Sequence, residues 1–158
     1  MGAWTHQPTL NSEEPLTGCT PAEVSTFDAD ELTSVVRKVL TERWHVYMEG
    51  RAPKLHSIGA EVGVAFADAE DLRARGARDR NRPSDIKVDF IRTGQEVRRG
   101  GVIEIRGTED VTLDREEMSS VVYLARFGKR DGSWVLLSLH GEHRFDHPTT
   151  ATYLNPPG

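Results

Sequence analysis

The spacing of the apolar residues changes once along this chain, near Asp85. Before it, apolar side chains recur every three to four positions. After it, they alternate with polar ones. Leu32, Val35, Val36, Val39, Leu40 and Tyr47 follow the helical period, with Arg43 on the same stripe and Trp44 and Met48 extending it to one side. Asp28, with Glu31 three residues on, forms a capping-box-like start, and Gly50 followed by Pro53 forms a stop. A helix of about 20 residues, near 30 Å long, is expected there. A second helix is expected over 59–75, with Ile58, Val62, Phe66, Ala69 and Leu72 on one face and Gly76 and Pro83 ending it.

Beyond Asp85 the two-residue period predicts four strands. Ile86, Val88 and Phe90 mark the first, and 93–101 reads as a polar loop. The second spans 102–113, with Ile103, Ile105, Val111 and Leu113 on one face. The third spans 120–129, with Val121, Tyr123, Ala125 and Phe127 on one face. Arg130-Asp131-Gly132 reads as a hairpin turn into a fourth strand over 133–144. Two helices followed by antiparallel strands give an α+β class. A curved sheet wrapped over a long helix makes a cone with a pocket at its open end.

Composition narrows the function classes. The chain has 158 residues, enough for one domain with a real core. Its net charge is −5, but residues 1–31 carry six acids and no Lys or Arg, so the remainder, with 20 basic and 19 acidic groups, is nearly neutral. Residues 1–25 therefore read as a flexible acidic tail, 26–147 as the domain and 148–158 as a loose end. Five arginines between Arg73 and Arg82 have no aromatic among them and several acids beside them, which argues against a nucleic-acid face. No apolar run reaches membrane-spanning length, and the first residues lack the basic and apolar blocks of a secretory signal, so a soluble, cytoplasmic domain is expected. The single Cys19 excludes a disulfide framework within the chain.

Three sequence stretches carry a family resemblance. They are Asp71-Leu72-Arg73-Ala74-Arg75-Gly76, then Glu104 through Leu113, then Tyr123-Leu124-Ala125-Arg126-Phe127 with Arg130-Asp131-Gly132-Ser133-Trp134-Val135-Leu136. With the order of elements, these resemble the NTF2-like (SnoaL-like) superfamily over residues 28–145, locally a domain found ahead of actinobacterial amidase-type domains. The resemblance implies a cone-shaped sheet over a long helix, pairing of two copies through the sheet, and a pocket for an apolar or polyketide-like small molecule. It implies an enzyme of actinobacterial secondary metabolism working without cofactor or metal (a cyclase, dehydratase or isomerase), or else a non-catalytic interaction module or ligand carrier.

Strand alternation supplies the site candidates. It places Trp134, Leu136, Ser138, His140 and Glu142 on one face of the last strand, and Val135, Leu137, Leu139, Gly141 and His143 on the other. Apolar residues on both faces suggest a central strand. A His and a Glu two residues apart on one face suit proton transfer, which makes His140 and Glu142 the catalytic candidates. Tyr123 joins them, because a buried hydroxyl needs a partner and can bind a ligand oxygen. Tyr47, Trp44, Asp89, Arg126 and Phe66 are the expected substrate-binding residues, with Arg126 free to pair with Glu104 or Glu142 across the sheet. No metal site is expected. An interior plugged by Trp44, Phe66 and Phe127 would instead point to the interaction module.

Overall fold

The computed structural model describes residues 27–118, 120–142 and 147–153. The expected acidic tail over 1–25, Cys19, and the strand exit at His143, Arg144 and Asp146 lie outside these residues. Helix α1 (Ala29–Glu49) begins where the Asp28 carboxylate accepts the amides of Asp30 and Glu31, and it ends on Gly50 in the left-handed conformation. Its predicted stripe is buried from Leu32 to Tyr47, Arg43 and Trp44 included, and Met48 is partly buried.

The second helix is shorter and later than the spacing predicts. A 3₁₀ turn, Gly63–Phe66, precedes α2 (Ala69–Arg78). The reason lies at Glu61. Its amide donates to the Trp134 carbonyl (3.2 Å) and its carbonyl accepts from the Leu136 amide (2.9 Å). Backbone groups committed to a strand edge cannot also serve a helix ladder. Gly76 does not end α2 but lies inside it.

The sheet contains β1 (Ile86–Arg98), β2 (Val102–Leu113), β4 (Val121–Arg130) and β5 (Ser133–Gly141), hydrogen-bonded in the order β1-β2-β4-β5. A two-residue strand, β3 (Glu116–Glu117), folds back on β2. All pairings are antiparallel, and the sheet is curved and unclosed. The expected polar loop over 93–101 is mostly strand. β1 continues past a bulge between Arg92 and Gly94, and only Arg99–Gly101 turns, with Gly100 and Gly101 at positive φ. The hairpin at Asp131-Gly132 forms as predicted, both residues having positive φ.

The concave face buries Ile103, Ile105, Tyr123, Ala125, Phe127 and Leu139 against α1 and the 3₁₀ turn. A second, smaller apolar cluster joins Trp44, Val46 and Tyr47 to Leu72 and Val111. β5 lies at the sheet's edge rather than its centre, and two segments cover that edge. Glu61 bridges to Val135, and Thr152 bridges to His140. The residues expected to be a loose end are therefore partly built into the fold. In the strap 147–153, His147, Thr149, Ala151 and Tyr153 are buried, alternating with more exposed neighbours. No described helix is long and apolar enough to cross a membrane.

Candidate functional site

Two linked groups of buried polar side chains lie where α1, the concave face of β2 and β4, and the strap meet. The first centres on Glu109, an inward position of β2 opposite Phe90 on one side and Val121 on the other. The Glu109 side chain is fully buried. One carboxylate oxygen lies 2.8 Å from His147 Nε2, and the other accepts the Trp44 indole N–H at 3.3 Å. The Thr149 amide donates to His147 Nδ1 at 3.3 Å. Since Nδ1 accepts there, Nε2 carries the proton and donates to Glu109, which fixes the tautomer. The Trp44 ring packs edge-on against the His147 ring at 5.3 Å and holds it in place. Above the pair, the Tyr123 ring lies against Gly141, where any Cβ would come within 2.4 Å of it. Its hydroxyl lies 3.5 Å from the Thr149 carbonyl. Burial, and then the charge of Glu109, push the Tyr123 hydroxyl well above the ordinary tyrosine range, so it stays protonated.

The second group centres on Arg43, whose side chain is wholly buried. Its guanidinium grips Asp68 with both terminal nitrogens (2.8 and 3.1 Å) and donates to the Ala65 carbonyl (2.8 Å) and the Thr149 carbonyl (3.0 Å). Tyr153 bonds both Arg43 and Asp68 through its hydroxyl. Burial alone would lower the Arg43 value, but the Asp68 carboxylate holds it above its ordinary range. This one cation ties α1, the 3₁₀ turn, the residue leading into α2, and the strap together. It latches the strap over the Glu109–His147 pair.

The structure gathers only some of the expected residues here. Trp44 and Tyr123 touch the Glu109–His147 pair or the strap beside it. Phe66 is buried in the core. Tyr47 lies one helical turn beyond Trp44 (ring centroids 6.0 Å apart) and donates its hydroxyl to Asp79. Burial and that bond push Tyr47 up to about 12. Asp89 lies on the outer edge of β1, half exposed and paired with Arg37 at 2.9 Å. Arg126 faces outward and pairs with Glu104 at 2.8 Å, directly across from it in the β2–β4 register.

His140 and Glu142 are not in the interior. His140 registers with Leu124 on the convex face, whereas Tyr123 registers with Gly141 on the concave one. A bulge in β4–β5 causes the difference. Arg126 pairs with Ser138 but Phe127 pairs with Leu136, leaving Leu137 as the extra residue. The regular two-residue alternation therefore breaks inside the strand. Leu136 faces the core, and Ser138 and His140 face out. Glu142 is exposed past the strand end. Among the described residues, no cluster of three or more His, Cys, Asp or Glu side chains is arranged to hold a metal ion.

Sequence reading missed Glu109, Asp68 and Tyr153, and it left His147 in the titratable run at the end of the last strand without a catalytic role. Glu109 was visible in principle, because it shares its parity with Ile103, Ile105 and Val111 on β2. A lone acid on an apolar strand face is the signal that could have found it.

No family model and no curated protein matches the sequence. Among solved structures, the chain is similar to a designed NTF2-like protein at 14% identity and a TM-score of 0.39, over 73% of this chain and 100% of that one. The fold built above is an unclosed antiparallel sheet with a long helix across its concave face.

Proposed function

We propose that this protein binds a small apolar molecule carrying a carbonyl or hydroxyl group inside the cone and moves a proton on it, without a cofactor. The carrying observation is the buried Glu109–His147 pair beside a Tyr123 hydroxyl held protonated. Glu109 is the base. It takes a proton from the carbon next to a carbonyl, the electron pair moves to the carbonyl oxygen, and the Tyr123 O–H donates to that oxygen as charge develops. Return of the proton to another carbon completes an isomerisation. Alternatively, protonated Glu109 gives its proton to a hydroxyl on the neighbouring carbon, the C–O bond breaks as the enolate electrons form the double bond, and water leaves, which completes a dehydration. His147 Nε2–H and the Trp44 indole orient the carboxylate. Ligand entry requires the strap from Thr149 to Tyr153 to lift from β5, vacating the volume its inward side chains occupy. A polyketide-like substrate from actinobacterial secondary metabolism suits such a site.

The test is deuterium exchange at the α-carbon of a set of apolar cyclic ketones in D2O, followed by NMR. The wild-type protein accelerates exchange for at least one ketone. Glu109→Gln lowers that rate by about 100-fold or more, and Tyr123→Phe also slows it. Single His140→Gln and Glu142→Gln variants retain it. Exchange no faster than in buffer, or an undiminished Glu109→Gln variant, overturns the reading.

A second reading is a non-catalytic module that pairs with a second copy through the convex face. It is favoured by the packing of Trp44, Phe66 and Phe127 in the interior, and by exposed Ile91 and Val122, which flank Thr108 in one cross-strand row. A concentration-dependent dimer with no exchange activity would select it.

A further inference from the structure

The convex face carries a groove that the proposed reaction does not use. It has a volume of about 420 Å³ and is lined by Gly94, Glu96, Arg98, Glu104, Arg106 and Arg126, among others, with Leu124 at its floor. Its shape follows from β1. The bulge after Arg92 sets Gly94 opposite Arg106, and a Cβ built on Gly94 would meet nothing within 4 Å. A missing side chain there leaves the surface beside Arg106 open.

The charges in the groove are unevenly used. Glu104 is nearly buried and accepts from Arg126 Nε at 2.8 Å and from Arg98 Nη1 at 3.4 Å. Both terminal nitrogens of Arg126, and Nε and Nη2 of Arg98, have no partner among the described residues. The exposed Arg106 side chain has none at all among them. Glu104 thus fixes two guanidinium groups by one edge each and leaves the other edge for a ligand. Three arginines against Glu96 and Glu104 leave one positive charge in excess. Guanidinium forks arriving from three strand positions suit a tetrahedral group with several oxygens better than a planar carboxylate.

We propose that this groove is a binding site for a phosphate or diphosphate group, with Arg106, Arg126 and Arg98 as its donors and Leu124 as the apolar floor for whatever the phosphate is attached to. The proposal is independent of the interior site.

The experiment titrates inorganic diphosphate, inorganic phosphate and succinate into the full chain at low ionic strength, reading heat by calorimetry and backbone amide shifts by NMR. Diphosphate binds saturably, with the largest shifts at Gly94, Arg106 and Leu124, and binds more tightly than succinate. Arg106→Gln weakens it about tenfold, the worth of one charge-assisted contact. Arg106→Glu, at an exposed position that leaves the fold intact, abolishes it. Added salt weakens it. Unsaturable binding, shifts spread over the whole surface, or wild-type affinity in Arg106→Glu overturns the proposal. So does a stable dimer that buries Arg106 and excludes diphosphate.

Discussion

Alanine at Gly76 is expected to destabilise the fold by about 3 kcal/mol or more, although alanine is the better helix former by about 1 kcal/mol. Gly76 lies within α2, facing α1. A Cβ there would sit 1.8 Å from the Tyr47 carbonyl oxygen and 2.7 Å from its carbonyl carbon. These are backbone atoms of a buried helix, which cannot turn aside as a side-chain tip can. The two helices would have to separate, opening the contact of Leu72 with Trp44 and Tyr47. Because Asp68 immediately precedes α2, the shift would also pull on the Arg43 latch. Gly63→Ala is the control, since a Cβ there meets nothing within 4 Å. Urea unfolding separates the two. The Gly76→Ala midpoint falls sharply, while that of Gly63→Ala stays within about 0.5 kcal/mol of wild type. A Gly76→Ala protein as stable as wild type would mean that α1 and α2 do not approach this closely.

The fold was legible wherever one local rule governed a whole element. The stripe from Leu32 to Tyr47 between Asp28 and Gly50 specifies α1 with its ends, and the alternation from Val102 to Leu113 specifies β2. Legibility failed where a distant partner decided the backbone. Nothing near Glu61 announces that its amide and carbonyl are taken by β5. Nothing in 147–153 has a period strong enough to mark a strap, because its four inward residues are as unlike as His147, Thr149, Ala151 and Tyr153. The site suffered most from the β4–β5 bulge. Counting by twos from Trp134 leads to His140 and Glu142. One inserted residue at Leu137 moves both off the core face. The interior acid was legible instead on β2, where no bulge intervenes between Ile103 and Glu109 in the pairing with β4.

Replacing Arg43 by methionine is expected to cost about 3 kcal/mol, the lower end for breaking a buried ion pair. The low end applies because the Asp68 side chain keeps 32% of its exposure and can be partly rehydrated. The carbonyls of Ala65 and Thr149 lose their donor as well. For a chain of this size the loss corresponds to roughly 10 °C in Tm. The variant also changes the response to acid. In the wild type, burial would raise Asp68, but the Arg43 guanidinium, and after it the Tyr153 hydroxyl, hold it below the usual carboxylate range. A carboxyl depressed in the folded state contributes stability at neutral pH and loses it as pH falls from the ordinary aspartate range through the depressed value. Arg43→Met removes the cause of that depression, so its stability declines less steeply over the same acid interval. Asp68→Asn removes the same titration from the other side. The double variant is then less destabilised than the sum of the two singles, because the pair can be lost only once. Hydrogen exchange locates the effect. With the latch gone, the Tyr153 amide, which donates to the Leu139 carbonyl, and the Gly141 amide, which donates to the Ala151 carbonyl, lose protection before the β2–β4 ladder does. Unchanged protection at Tyr153 in Arg43→Met would show that the strap is held by its β5 bridges alone, and that Arg43 serves only to join α1 to the segment ahead of α2.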